Sequence, residues 1–189
     1  MSDAKRTGRS GRMVIAGLAL LAALAGVQGW IEGHVLGGLA QAQGYALHRV
    51  APAATDPAID TYLDDHLAYA PVRPGGHLVL MLPGSGGVPD RMQDFLETAS
   101  GLGHHVLGLS YPNRPSVARR CAGQPAACYE AVRLEIIDGV DRGPQVEVDP
   151  PNSIEHRTLR AVEHLARAYT DEGWARFRDG AGLRWETLV

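Results

Sequence analysis

The residues whose types and spacing best suit chemistry lie together in Leu82-Pro83-Gly84-Ser85-Gly86-Gly87, where an apolar run breaks into a glycine-rich turn. Gly84, Gly86 and Gly87 permit positive φ and close backbone approach, and Pro89 fits the first turn of a following helix. Such a turn presents free amide N–H groups at the carboxyl end of a strand, where open α/β sheets place their ligands. Ser85 also sits one residue short of a Gly-x-Ser-x-Gly elbow, with Pro83 in the first glycine position. A triad through it would draw on His156 or His164, which stand among the charged residues of a helix, where solvated histidines are commoner than bases. Ser85 is therefore read as part of a ligand-holding turn and not as the nucleophile.

Other constellations carry less. His104-His105 at a strand entrance sends its two rings to opposite faces, which argues against a shared metal, and no metal site or cofactor is expected. A phosphate-binding P-loop needs Gly-Lys-Ser or Gly-Lys-Thr after the turn, and the only lysine is Lys5. A dinucleotide fingerprint fails on glycine spacing and on the lack of an acidic residue at the end of the next strand. The net charge of -3 becomes -5 once residues 1–42, with Lys5, Arg6, Arg9, Arg12, Asp3 and Glu32, are set aside, so no basic stripe for nucleic acid remains.

Around this turn the sequence predicts the elements that position it. Leu78 to Leu82 is apolar at every position, as in a strand covered on both faces of a parallel sheet. Met92, Phe95, Leu96 and Ala99 form one stripe of a helix opening at Pro89 and closing near Gly101 or Gly103, and Val106-Leu107-Gly108-Leu109 is a second strand. Strand, helix, strand is a βαβ unit with a right-handed crossover. Asp65 to Ala70 reads as a short earlier strand ending at Pro71. Ser110 to Asn152 is long for a connection and reads as a partial cap over the site or as surface decoration, with one helix through Tyr129, Val132, Ile136 and Ile137 ending at Gly139. The longest helix starts at Asn152 or Ser153, with Leu159, Val162, Ala166 and Tyr169 on its sheet-facing side, and Trp185 to Val189 looks like the start of another strand.

Residues 1–12 are basic and small and Met13 to Val27 is apolar, the layout of an export signal. An uncleaved membrane anchor through residues 13–31 is the rival reading. Both place the domain outside the cytoplasm, in the periplasm, secreted, or tethered to the membrane. Cys121 and Cys128, the only cysteines, then read as a disulfide closing a short loop, with two free thiols as the alternative. The chain divides into a signal or anchor over 1–42, an Ala-, Gly- and Pro-rich linker over 43–59, and a domain over 60–189.

The strand with its glycine turn, the crossover helix, the strand running into Leu109-Ser110-Tyr111-Pro112-Asn113, the Cys-bracketed loop and the long helix together resemble the amino-terminal half of an α/β-hydrolase, in an exported esterase- or lipase-like branch. The resemblance implies a three-layer α/β/α fold with a mostly parallel sheet flanked by helices. It makes the turn part of an oxyanion hole, with the backbone N–H of Ser85 or Gly86 as donor. Gly84, Gly87, Tyr111 and Asn113 would line the substrate site. A small-molecule or lipid ester would be the substrate, possible membrane association would run through residues 13–31, and no nucleic-acid partner is implied. The nucleophile elbow, the acid and the histidine that follow in this family have no counterpart here, so the domain over 60–189 is expected to be incomplete and inactive alone. The alternatives are a non-catalytic binding domain and an inert fragment of the same fold.

Overall fold

The computed structural model describes residues 44–180 and 182–189. The export signal and the membrane anchor expected within residues 1–42 lie outside the described residues. Among those described, no helix is long and apolar enough to cross a membrane.

Strands β1 (Tyr45–Val50), β2 (His66–Pro71), β3 (Leu78–Met81) and β4 (His105–Gly108) form a four-stranded sheet in the order β1-β2-β4-β3. β3 and β4 are parallel, with Leu78 opposite His105 and Met81 opposite Gly108. The β1–β2 and β2–β4 pairs are antiparallel. This corrects the expected mostly parallel, three-layer sheet: the sheet is mixed and its antiparallel pairs outnumber the parallel one. The physical reason is in the connections. A parallel pair needs a crossover of a dozen or more residues, and residues 82–104 supply one between β3 and β4. Residues 72–77 are too few for a crossover, so the chain leaves β2 and returns in the opposite direction. A separate two-stranded ribbon pairs β5 (Arg178–Asp179) with β6 (Gly182–Leu183).

Residues 45–50, read as linker, are β1, paired with β2 along its whole length from Tyr45–Pro71 to Val50–His66. A four-residue helix, α1 (Pro52–Thr55), follows it. The crossover begins as a 3-10 turn at Pro89–Met92 and continues as α2 (Gln93–Gly101), whose Leu96 and Ala99 pack with Leu67, Tyr69, Met81 and Val106 on one sheet face. Met92 and Phe95, assigned to the same stripe, are exposed.

The opposite face carries the larger core. Ala68, Ala70, Leu78 and Leu107 meet Ala161, Val162 and Leu165 of α5 (Ile154–Ala168), with Trp174 and Phe177 beside them. Ser153 caps α5, its Oγ accepting the His156 N–H at 3.2 Å. The buried side of α5 is Ile154, Arg157, Thr158, Ala161, Val162 and Leu165, so of the four residues assigned to that side only Val162 is fully buried. Between the strands and α5, α3 (Val117–Arg120) and α4 (Ala127–Asp138) are joined by the Cys121–Cys128 disulfide, with Cα atoms 5.8 Å apart. α4 ends at Gly139, whose φ of 78° is the left-handed conformation that terminates helices. Trp185–Thr187 forms a 3-10 turn and Leu188 and Val189 run parallel to β3: Leu80 N–H donates to Val189 O at 2.9 Å and Val189 N–H to Leu78 O at 3.0 Å.

Candidate functional site

The glycine turn leaves the carboxyl end of β3, and the segment that leaves β4 beside it is built to hold it. Asn113 is buried, and its Nδ2 donates to Gly87 O at 2.9 Å and to Gly84 O at 3.1 Å. Its backbone carbonyl accepts the Gly86 N–H at 3.2 Å. Tyr111 Oη donates to Pro83 O at 2.8 Å, and burial raises the Tyr111 hydroxyl above its ordinary value, which keeps it a donor. Gly87 N–H closes the turn on Gly84 O at 2.8 Å. Tyr111 and Asn113 thus act through the turn's carbonyls: they fix its shape from beneath.

The amides of the turn are then unequal. Gly86 and Gly87 have committed theirs, whereas the Gly84 and Ser85 N–H groups have no acceptor among the described residues. Gly86 has a φ of 75°, a conformation a glycine adopts without strain, and this lets its amide turn inward to Asn113. Of the two donors named from the sequence, Ser85 is the one left unbonded. Ser85 is exposed and its Oγ makes no hydrogen bond among the described residues. His156 Nε2 is paired instead with Asp56 Oδ2 at 2.9 Å, and hydrogen bonding to Ala58 N–H and to His156 holds the Asp56 carboxyl below its ordinary range. No described contact links His156 or His164 to Ser85.

A second layer fixes the segment that carries Tyr111 and Asn113. Ser110 N–H donates to His66 Nδ1 at 3.0 Å, so the His66 proton resides on Nε2, a nitrogen that is buried without a partner among the described residues. Burial, with Arg157 adding repulsion, lowers the His66 pKa to about 3, and the ring is neutral. Arg157 is fully buried and donates to carbonyls from three segments: Asn152 O at 2.9 Å, Ser110 O and Tyr62 O at 3.2 Å each, and Thr61 O at 2.6 Å. It also donates to Asn152 Oδ1 at 2.7 Å. Burial pulls its pKa down to about 10, which still leaves it charged at neutral pH. The φ of 47° at Tyr62, unusual for a side chain of this size, points its carbonyl at both Ser110 Oγ (2.9 Å) and Arg157.

Beside the turn lies a cavity of about 230 Å³ lined by Leu82, Ser85, Tyr111, Pro112, Asn113, Pro115, Val117, Arg133, Ile136, Ile137 and Ile154. The segment 110–152, read as a cap or as decoration, contributes most of these walls, half of them from residues 111–115 and half from α3 and α4. Leu82 is 40% exposed because it turns toward this cavity's edge and away from the sheet. Gly84 and Gly87 shape the turn but do not line the cavity. A larger open cleft of about 760 Å³ has Glu135, Asp141, Glu147 and Asp149 on its walls. Glu135 there is buried and its carboxylate is already taken up by Arg142 N–H (2.8 Å) and Val148 N–H (3.3 Å), which gives it a structural task. Among the described residues no group of three or more His, Cys, Asp or Glu side chains could hold a metal ion.

His66, Arg157 and Tyr62 were not singled out from the sequence. Arg157 had a signal: it occupies the inward i, i+3, i+7 position between Ile154 and Ala161, where a charged residue must be buried and fully bonded. Tyr62 and His66 had none, since their tasks depend on residues far along the chain. No family model, no curated protein and no solved structure matches this chain.

Proposed function

We propose that this chain supplies the oxyanion-holding part of an exported serine hydrolase of esterase or lipase type, related to the α/β-hydrolases, and that the nucleophile, acid and histidine are not among its described residues. The observation that carries the reading is the free Ser85 N–H in a turn otherwise locked by Asn113 and Tyr111, next to a largely apolar cavity. A preorganised amide aimed at the position of a developing negative charge is worth several kcal/mol in the transition state of acyl transfer. In that reaction a serine attacks the acyl carbonyl, a histidine moves the proton, and the carbonyl oxygen, as it becomes negative, takes the Ser85 N–H. The pairing of Leu188 and Val189 alongside β3 supports the relationship, because the family would set its next strand at that edge. The Cys121–Cys128 disulfide supports an oxidising compartment outside the cytoplasm.

The unbonded Ser85 Oγ favours a second reading, a binding domain that keeps the turn and lacks the chemistry. Sequencing the source locus past the Val189 codon in all forward frames separates the two. The hydrolase reading expects a Gly-x-Ser-x-Gly segment followed by an acidic residue and a histidine. A genuine stop followed by unrelated sequence would overturn it in favour of the binding domain.

A further inference from the structure

The cavity beside the turn is asymmetric in a way that names a ligand class. Its walls are apolar on the side of Leu82, Val117, Ile136 and Ile154, and its one charged lining group is Arg133 of α4. Arg133 is exposed, so it stands at the rim, and it has no ion pair or hydrogen bond among the described residues. Nearby, Arg120 donates to Gln145 O and Arg114 O and Arg142 pairs with Asp138, while Arg119 of α3, which also makes no side-chain bond among the described residues, does not line the cavity. An unengaged guanidinium at the mouth of an apolar void selects by sign of charge, because it offers a forked donor to a carboxylate and nothing to a cation.

We propose that this cavity binds a medium-chain carboxylate, with the apolar tail inside and the carboxylate at Arg133. Size sets the chain length. A cavity of about 150 Å³ accommodates a benzene ring, so one of about 230 Å³ takes a ligand of about nine non-hydrogen atoms. That is the size of heptanoate, and it excludes long-chain lipids as fully enclosed occupants. The inference deepens the hydrolase reading, on which it rests for the reaction alone: the ligand is the acid that hydrolysis of a medium-chain ester would release next to Ser85. Binding itself needs no nucleophile.

The test is calorimetric titration of the full chain with heptanoate, acetate and 1-heptanol, and of its Arg133→Gln variant with the same three. Gln suits an exposed helical position, so the variant keeps the fold. Heptanoate is expected to saturate one site and to bind the variant about tenfold or more weakly, since a charge-assisted pair is lost. 1-Heptanol is expected to bind both proteins alike, and acetate to bind the wild type more weakly than heptanoate. Equal heptanoate affinity in the two proteins overturns the inference, as does heptanoate binding no tighter than acetate. Neither result bears on Ser85 as an oxyanion donor, and a failure of the hydrolase reading would leave heptanoate binding intact.

Discussion

His66 gives the site a pH dependence that can be worked from its surroundings. Its Nδ1 accepts the Ser110 N–H, so a proton on that nitrogen would set a donor against a donor and place a second buried charge near Arg157. The pKa falls from 6.5 to about 3, chiefly by burial. The unfolded chain therefore binds this proton at a pH where the folded chain does not, and stability is lost as pH falls below the unfolded value. Integrating between those two values gives a loss of about 2 kcal/mol from about pH 7 to about pH 5, growing toward about 5 kcal/mol near pH 3. Urea unfolding of the wild type and of His66→Asn across this range measures it, since the Asn Oδ1 can still accept the Ser110 N–H and does not titrate. The wild type is expected to lose about 2 kcal/mol more than the variant down to about pH 5. His105, which burial also lowers, and the lowered carboxylates Asp56, Asp90 and Glu172 are common to both proteins and cancel. Equal slopes for wild type and variant would refute the reasoning. Because Ser110 leads directly into Tyr111 and Asn113, the same protonation loosens the support of the glycine turn.

Asn113→Ala removes the donors to Gly84 O and Gly87 O and is expected to cost about 1–3 kcal/mol in urea unfolding, together with faster hydrogen exchange at the Gly86 and Gly87 amides. Tyr111→Phe, which deletes only the bond to Pro83 O, should cost about 1 kcal/mol. Replacing Cys121 and Cys128 together by Ala opens an eight-residue loop, for which loop-closure entropy predicts a loss of at most about 2.5 kcal/mol. A reducing agent should then lower the thermal midpoint of the wild type and leave that of the double variant unchanged.

The elements nearest the site were legible because their signals are local. The apolar run at β3, the proline-started crossover, the strand through Val106 and Leu107, the Ser153 cap and the Gly139 stop each follow from a few neighbouring residues. The direction of β2 was not legible, because it is set by connection lengths and by which strand it meets. Nor was β1, whose alternation in Tyr45–Val50 is carried by short and polar residues such as Ala46, His48 and Arg49. At the site, the glycine turn could be read from its composition, but the tasks of Tyr111 and Asn113 could not. Those depend on carbonyls some thirty residues earlier in the chain, which only the parallel pairing of β3 and β4 brings within reach. Arg157 was hidden by its company, an arginine on a helix rich in arginine and glutamate whose depth becomes plain only once Ile154 and Ala161 define the inner face.

The central claim is that, of the two proposed oxyanion donors Ser85 and Gly86, the amide of Ser85 is the one free to meet an anion. Proton–nitrogen correlation spectra of the full chain titrated with butylphosphonate, a tetrahedral anion resembling the acyl-transfer intermediate, address it directly. The Ser85 amide proton is expected to move downfield and saturate, while those of Gly86 and Gly87, held by Asn113 O and Gly84 O, move little. A Ser85 resonance that stays in place at saturating anion, or shifts no larger than those of Gly86 and Gly87, would contradict the account.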